Sequence, residues 1–336
     1  MSEAVFPLVG AAFVMLFVLP SFALLAKGLL LVLERRAPMG HLGIRYLVMT
    51  GSSILPLAWF LSAGLHQVES SELVLACLLD HHTAELCFEP GFFVLTLGLI
   101  VAMCGLRALP PSHQLQRLSP IDEQTITARI ARVLALRPEL DGLLGRIDAS
   151  GDPDLTIETY GYRKPRIRLG MDFATRLSDP MLAAALAHES EHARVLDPLR
   201  YFLLRVAVAV NPFGGFLIKP HAARWHIARE TQCDREAVLR GAAPLSLAEA
   251  IVRAARSCTP AVALGTSNID VLRLRTGMLM AFAEHKPTRR GRIPSSAVFV
   301  GALLLLFTLL LPHNAGTAAL DVLHTTAEQA LTHLWR

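Results

Sequence analysis

Four stretches of this chain are long and apolar enough to cross a lipid bilayer, which takes about 20 helical residues. Three lie within residues 1–109 and one lies near the C-terminal end, at 6–33, 46–65, 90–109 and 294–312. The first has no basic segment ahead of its apolar run, so we interpret it as a retained span rather than a signal peptide. The sequence therefore predicts an α-helical integral membrane protein with about four transmembrane helices.

The charges that flank these stretches predict an orientation. Residues 34–45 are rich in arginine and "HKPTRRGR" at 285–292 precedes the last span, whereas the loop 66–89 is acidic and holds no Lys or Arg. Because basic residues favour the cytoplasmic side, we expect the N-terminus, the loop 66–89 and the tail 313–336 to be outside. Residues 110–293 are then cytoplasmic, in a multi-pass protein of a bacterial inner membrane.

The cysteines follow the same division. Cys77 and Cys87 both lie in the predicted outer loop, where the environment of a bacterial cell is oxidising. A disulfide between them and two unpaired thiols are both compatible with the sequence. Cys233 and Cys258 lie in the predicted cytoplasmic segment and are expected to be reduced.

The overall charge argues against nucleic acid as a partner. The net charge is only +4, and no basic stripe with interleaved aromatic residues occurs. We therefore expect membrane lipid and protein partners, and no direct binding of nucleic acid.

The predicted cytoplasmic segment, 110–293, mixes helical and strand patterns. Residues 119–136 have apolar positions at helical spacing after a Ser119 or Asp122 cap. The stretches "DLTIETY" (154–160) and "PRIRLG" (165–170) alternate in polarity and are separated by a short turn, so we interpret them as two strands. An α+β domain is expected here.

A His-Glu-x-x-His motif occupies residues 188–192, inside an Ala- and Leu-rich stretch that begins at Ser178 and Pro180. On a helix, positions i and i+4 share one face, so His188 and His192 can hold a single ion. Glu189 can then reach a water molecule bound to that ion. The alternative is an ordinary polar helix turn. The apolar run before His188 argues against it, because a buried cluster without a metal would be costly.

A third ligand is available on a second predicted helix, 222–241. Glu230 and Asp234 are four residues apart there and share a face. Two histidines and one glutamate with an open position form a catalytic zinc arrangement, and Asp234 could accept the second N–H of a ligating histidine. The alternative for Glu230 is one charge among several on a solvated helix face.

These motifs resemble the BlaR/MecR family of membrane metallopeptidases, which are gluzincins with three spans before the peptidase domain and one after it. The matching residues are His188-Glu189-x-x-His192, Asp197, Asn211-Pro212-Phe213 and Glu230-x-x-Cys233-Asp234. The resemblance implies Zn²⁺ held by His188, His192 and Glu230, with Glu189 as general base. It also implies that the strand at 165–170 is the sheet edge on which a substrate peptide lies.

One departure from this family concerns the C-terminal tail. Only residues 313–336 follow the last span, without the penicillin-binding domain of the β-lactam sensors and without an S-x-x-K motif. Sensing of an antibiotic by acylation is therefore not expected.

The resemblance implies a metalloendopeptidase that cleaves a cytoplasmic protein, such as a transcriptional repressor, with self-cleavage as a further expectation. His226, four residues before Glu230, is a candidate donor to the oxyanion, and a surface histidine is its alternative reading. Two other functions stay open. One is membrane-protein quality control of the HtpX type, and the other is a non-catalytic membrane receptor that keeps the fold.

Overall fold

The computed structural model describes residues 14–69, 96–103, 119–135, 137–143, 145–257 and 266–285. These residues are mostly helical, with one three-stranded sheet. The chain divides into two compact units. The described part of the N-terminal unit comprises residues 14–69, 96–103 and 204–222, and the sheet unit comprises the rest. Cys77, Cys87, the predicted span 294–312 and the tail 313–336 lie outside the described residues.

The N-terminal unit is built around two long helices, α1 (Leu19–Arg36) and α2 (Leu42–Glu69), with helical residues 96–103 as α3. A π-helical turn, Val14–Val18, leads into α1, and an 18-residue window within Val14–Arg36 has a mean hydropathy of 2.3. Within the described residues this is the one helix long and apolar enough to cross a membrane, by length and composition. The larger number predicted from the sequence, about four transmembrane helices, is not shown by the described residues and stays a prediction.

Residues 204–222 belong to the N-terminal unit, although the sequence assigns them to the segment 110–293. They comprise the end of α7 (Asp197–Val210), the short helix α8 (Gly214–Leu217) and the start of α9 (Lys219–Leu239). Val210 joins a buried apolar cluster with Met15, Leu19 and Ile100. The packing of these buried side chains explains why residues 204–222 belong to the N-terminal unit.

The sheet unit contains three strands, β1 (Ile147–Ser150), β2 (Ile157–Tyr160) and β3 (Arg166–Gly170), in the order β1-β3-β2. β3 is parallel to β1 and antiparallel to β2. The expectation that the strand at 165–170 forms the sheet edge is therefore wrong. That strand is central because β1, a strand of four residues that the sequence analysis did not identify, pairs with its other side. β2 lies at one edge of this sheet and contacts the helix that carries the His-Glu-x-x-His motif.

The helices of the sheet unit surround a core in which α6 (Asp179–Arg194) is central. Every residue of α6 from Met181 to His188 is buried, and the helix contacts β2, β3, α4 (Pro120–Ala135) and α10 (Pro244–Ser257). A helix apolar on all sides must be surrounded in this way. The remaining elements are a 3₁₀ turn (Pro138–Leu143), α5 (Met171–Arg176) and α11 (Thr266–Glu284).

Candidate metal centre

Two histidines of α6 face each other at the C-terminal half of that helix. His188 and His192 are both buried, and their Nε2 atoms lie 3.2 Å apart. The helix repeat explains this pairing, because positions i and i+4 are neighbours on one face. Two imidazole nitrogens directed at one point can bind the same ion.

Glu230, on α9, completes this group. Its Oε2 lies 3.4 Å from Nε2 of His188, and its Oε1 lies 3.3 Å from Nε2 of His192. Ligands about 2.0–2.1 Å from a tetrahedral zinc ion are separated by about 3.3–3.4 Å. The three predicted ligands therefore come together with separations that fit a metal ion, and they form a group that could hold one.

A carboxylate and an arginine stand behind His188. Oδ1 of Asp234 lies 2.8 Å from Nδ1 of His188. Arg275, on α11, donates from Nε and Nη2 to the two oxygens of Asp234 at 2.7 and 2.8 Å, and its Nη1 lies 3.0 Å from Oε2 of Glu230. A carboxylate at Nδ1 favours the tautomer whose Nε2 lone pair faces the metal position. Sequence reasoning missed Arg275, because no local motif marks it.

A similar pair stands behind His192. Oδ2 of Asp197 lies 2.8 Å from Nδ1 of His192 and accepts a hydrogen bond from Nε of Arg229 at 2.7 Å. Cys233 is fully buried, with its Sγ 3.5 Å from the same Nδ1. His192, Asp197 and Cys233 also satisfy the spacing of a metal group. Asp197 and Cys233 both lie at Nδ1 of His192, whereas Nε2 of both histidines faces Glu230, so the group around Glu230 is the one in which two imidazoles can share an ion.

The carboxylates around His188 and His192 favour a positive charge at this site. Burial alone would lower the pKa of His188, but Asp234 and Glu230 outweigh it and raise that pKa to about 10. The pKa of His192 is raised well above its usual value, because Asp197, Cys233 and Glu230 outweigh burial. Burial would raise the pKa of Glu230, yet the two histidines hold it well below its usual range. The donor set is thus suited to a cation.

Glu189 lies beside these ligands and contacts the edge strand of the sheet. The hydroxyl of Thr159, on β2, lies 2.7 Å from Oε2 of Glu189 and 3.0 Å from its backbone oxygen, and donates to one of them. A hydrogen bond to a carboxylate restricts its rotation and orients its second oxygen. Sequence reasoning missed Thr159, which shows only as one residue of an alternating strand.

A cavity of about 310 Å³ opens beside His188, Glu189 and Glu230. Apart from Arg275, its wall is largely apolar. The apolar lining includes Ile157, Phe173, Leu247, Ile251, Val271 and Leu272. A pocket of this kind accepts an apolar group next to the polar centre.

His226, the predicted donor to the oxyanion, packs against aromatic rings. Its ring centre lies 4.4 Å from that of Tyr201 and 5.6 Å from that of Trp225. Tyr201 in turn lies 6.2 Å from the ring of His192, and burial raises the pKa of its phenol. The ring of Tyr201 therefore lies between those of His226 and His192, and the role of His226 stays a prediction.

Comparison of this chain with protein-family models, with curated proteins and with solved structures returns no match.

Proposed function

We propose that this chain is a membrane-anchored zinc metalloendopeptidase of the BlaR/MecR type that cleaves a cytoplasmic protein. The observation that carries the proposal is the convergence of two imidazoles and one carboxylate: Nε2 of His188 and Nε2 of His192 lie 3.2 Å apart, and each lies 3.3–3.4 Å from one oxygen of Glu230. Among the described residues three protein ligands converge here, which would leave one position for water or substrate, as in catalytic sites.

Zinc bound by these residues would acidify a water molecule and polarise the carbonyl of the scissile peptide bond. The carboxylate of Glu189 would accept the proton of that water and pass it to the leaving amine. The hydroxyl of Thr159, 2.7 Å from this carboxylate, would orient it. With zinc bound, Asp234 and Asp197 would accept from Nδ1 of the two imidazoles and leave each Nε2 lone pair for the ion.

The edge strand β2 supports an extended peptide as the substrate. Within the described residues β2 pairs with β3 on one side only, so its other edge offers backbone donors and acceptors. Thr159 lies on this strand and contacts Glu189. A peptide added along β2 would therefore pass next to the general base. The adjoining apolar cavity, lined by Ile157 and Phe173 among others, would take one apolar side chain of the substrate.

The cell location belongs to the same proposal. Val14–Arg36 supports anchoring in a membrane. The arginines at 35, 36 and 45, together with the acidic loop 66–89, favour a multi-pass arrangement with the N-terminus outside and the sheet unit in the cytoplasm. The substrate is then a cytoplasmic protein, for which a transcriptional repressor is the expectation from family resemblance.

A cleavage assay tests this proposal. The protein is purified in detergent and incubated with an unfolded protein substrate such as casein, with and without a chelator, followed by added zinc. We expect cleavage that the chelator abolishes and zinc restores. Glu189→Gln should lower the rate by about 10²–10⁴-fold, the range for loss of a general base.

Glu249→Gln is the matched control. Glu249 is half exposed on α10 and pairs with Arg253, away from the ligands. This variant should cleave at the wild-type rate. Cleavage by Glu189→Gln at the wild-type rate would contradict the proposed role of the site.

A further inference from the structure

Residues 204–222 run alongside α1 for most of its length. At one end, Nδ2 of Asn211 donates to the backbone oxygen of Leu19 at 2.7 Å. At the other, Nδ1 of His221 lies 3.0 Å from Oε1 of Glu34. Leu19 and Glu34 are about 22 Å apart along the helix, at about 1.5 Å per residue. The chain from Asn211 to His221 therefore travels in the same direction as α1 over that distance.

Two more contacts support this register. Lys27, midway between Leu19 and Glu34, places its Nζ 4.7 Å from the ring centre of Phe216. On the preceding arm, the end of α7, the hydroxyl of Ser53 in α2 donates to the backbone oxygen of Ala207 at 2.7 Å. The segment thus has an outgoing arm beside α2 and a return arm beside α1.

The two arms meet at a tight turn, residues 211–215. Asn211 is fully buried, and its Oδ1 accepts a hydrogen bond from the backbone N–H of Phe213 at 3.0 Å. A Cβ atom at Gly214 would lie only 2.1 Å from the backbone oxygen of Val208, so the backbones of the two arms touch there. Glycine is required by this close approach.

The side chains of this hairpin divide into a buried and an exposed apolar set. Ala207, Val210 and Ile218 are at most 2% exposed, whereas Phe213 is 47% and Phe216 is 72% exposed. α1 also carries exposed apolar side chains, at Leu24, Leu25 and Leu29. Exposed apolar side chains on a helix that can span a membrane and on the segment that follows it are suited to lipid acyl chains.

We propose that residues 204–222 form a re-entrant hairpin that enters the bilayer from the cytoplasmic side, turns at 211–215 and leaves on the same side. Phe213 and Phe216 face lipid acyl chains in this arrangement. The inference rests on the proposed membrane location of α1, because the hairpin follows that helix. Irregular backbone at membrane depth is stable only where protein satisfies its polar groups, and buried Asn211 does this at the turn.

Charged residues mark the cytoplasmic boundary of the hairpin. Arg45 is fully buried and donates to Oε1 of Glu34 at 3.0 Å, the same atom that lies near His221. Lys27, midway along α1, lies over the ring of Phe216, and exposed Arg205 lies on the outgoing arm. Long cationic side chains of this kind can extend along the apolar surface toward the lipid headgroups.

Spin labels measure the depth of the hairpin directly. Single cysteines replace Phe213, Phe216, Leu25 or Ile121 in a chain that keeps only the buried Cys233 and has the other four cysteines changed to serine. The full-length protein is placed in phosphatidylcholine and phosphatidylglycerol vesicles. Collision rates with oxygen, which enters lipid, and with a water-soluble nickel chelate are compared. The chain without an added cysteine must take up no label.

Leu25 is the control for lipid and Ile121, exposed on α4, is the control for water. We expect labels at Phe213 and Phe216 to have an oxygen-to-nickel ratio severalfold above that of Ile121. Labels at Phe213 and Phe216 that match Ile121, or that neither reagent reaches, while Leu25 is in lipid would overturn the hairpin alone. A water-exposed label at Leu25 would overturn the membrane location of α1 as well.

Discussion

At the scale of single residues, two acid–arginine pairs support the histidines of the candidate metal centre. Asp234 with Arg275 stands behind His188, and Asp197 with Arg229 stands behind His192. Each carboxylate fixes an imidazole, and each guanidinium compensates the charge of its buried carboxylate. The pKa of both Asp197 and Asp234 stays below its usual value, because these partners outweigh burial.

Arg275 is expected to be needed for tight metal binding. Arg275→Met removes the hydrogen bonds to Asp234 and the contact with Glu230, so both groups lose their fixed positions. We expect zinc affinity to fall by about 10–100-fold, as for outer partners of metal ligands. Competition with a coloured chelator measures it. Arg273→Met, on the same helix and 78% exposed, is the control and should bind zinc like the wild type. Equal affinities of the two variants would contradict this role.

Thr159 is expected to act on the catalytic step rather than on metal binding. Thr159→Val removes the hydroxyl at 2.7 Å from Glu189 while keeping the shape of the side chain. A hydrogen bond to a charged group contributes about 1.5–3 kcal/mol, so kcat should fall by about tenfold or more with zinc content unchanged. Thr159→Ser, which keeps the hydroxyl, should recover most of kcat. A change confined to KM would show instead that Thr159 only contributes to peptide binding.

At the scale of elements, the helical motif could be predicted from the sequence and the sheet order could not. The i, i+4 spacing of His188 and His192 is local, and the apolar run before them indicates burial. β3 lies between two strands because it pairs in parallel with β1, and β2 separates these two strands in the sequence. Thr159 and Arg275 were missed for the same reason, since tertiary contacts alone bring β2 and α11 to the ligands.

The turn at 211–215 gives a matched pair of glycine substitutions. Gly214→Ala would place a Cβ 2.1 Å from the backbone oxygen of Val208, whereas a Cβ at Gly215 has nothing within 4 Å. We expect Gly214→Ala to destabilise the protein by about 1–3 kcal/mol, the range for overpacking, and to lower its apparent Tm in detergent. Gly215→Ala should melt close to the wild type. Equal Tm values for the two variants would mean that the arms do not touch at this point.

At the scale of the whole molecule, the chain comprises an apolar N-terminal unit and a sheet unit that carries the candidate metal centre. The apolar stretches and the charges that flank them could be identified from the sequence, because both are local properties of the chain. The membership of residues 204–222 in the N-terminal unit could not be predicted in this way, because Arg205, two glycines and two prolines interrupt the apolar pattern of this segment. Tertiary contacts, such as the hydrogen bond from Asn211 to the backbone of Leu19, place the segment in that unit.

The proposed orientation is expected to leave the sheet unit open to the cytoplasm. A cysteine at Ile121, in the same four-serine chain as above, should react with a membrane-impermeant maleimide in inverted membrane vesicles. It should not react in intact spheroplasts, because the label cannot cross the membrane. Labelling in both preparations after disruption by detergent is the control. Reaction in intact spheroplasts would place the sheet unit outside and rule out a cytoplasmic substrate.

The zinc content of the purified protein tests whether the three proposed ligands form a metal site. Wild type, Glu189→Gln and the double variant His188→Ala/His192→Ala are equilibrated with zinc, desalted and measured by mass spectrometry of the metal. We predict about one zinc per chain in wild type and in Glu189→Gln, and none in the double variant, since both imidazole ligands are then lost. Wild-type protein that retains no more zinc than the folded double variant would contradict the account.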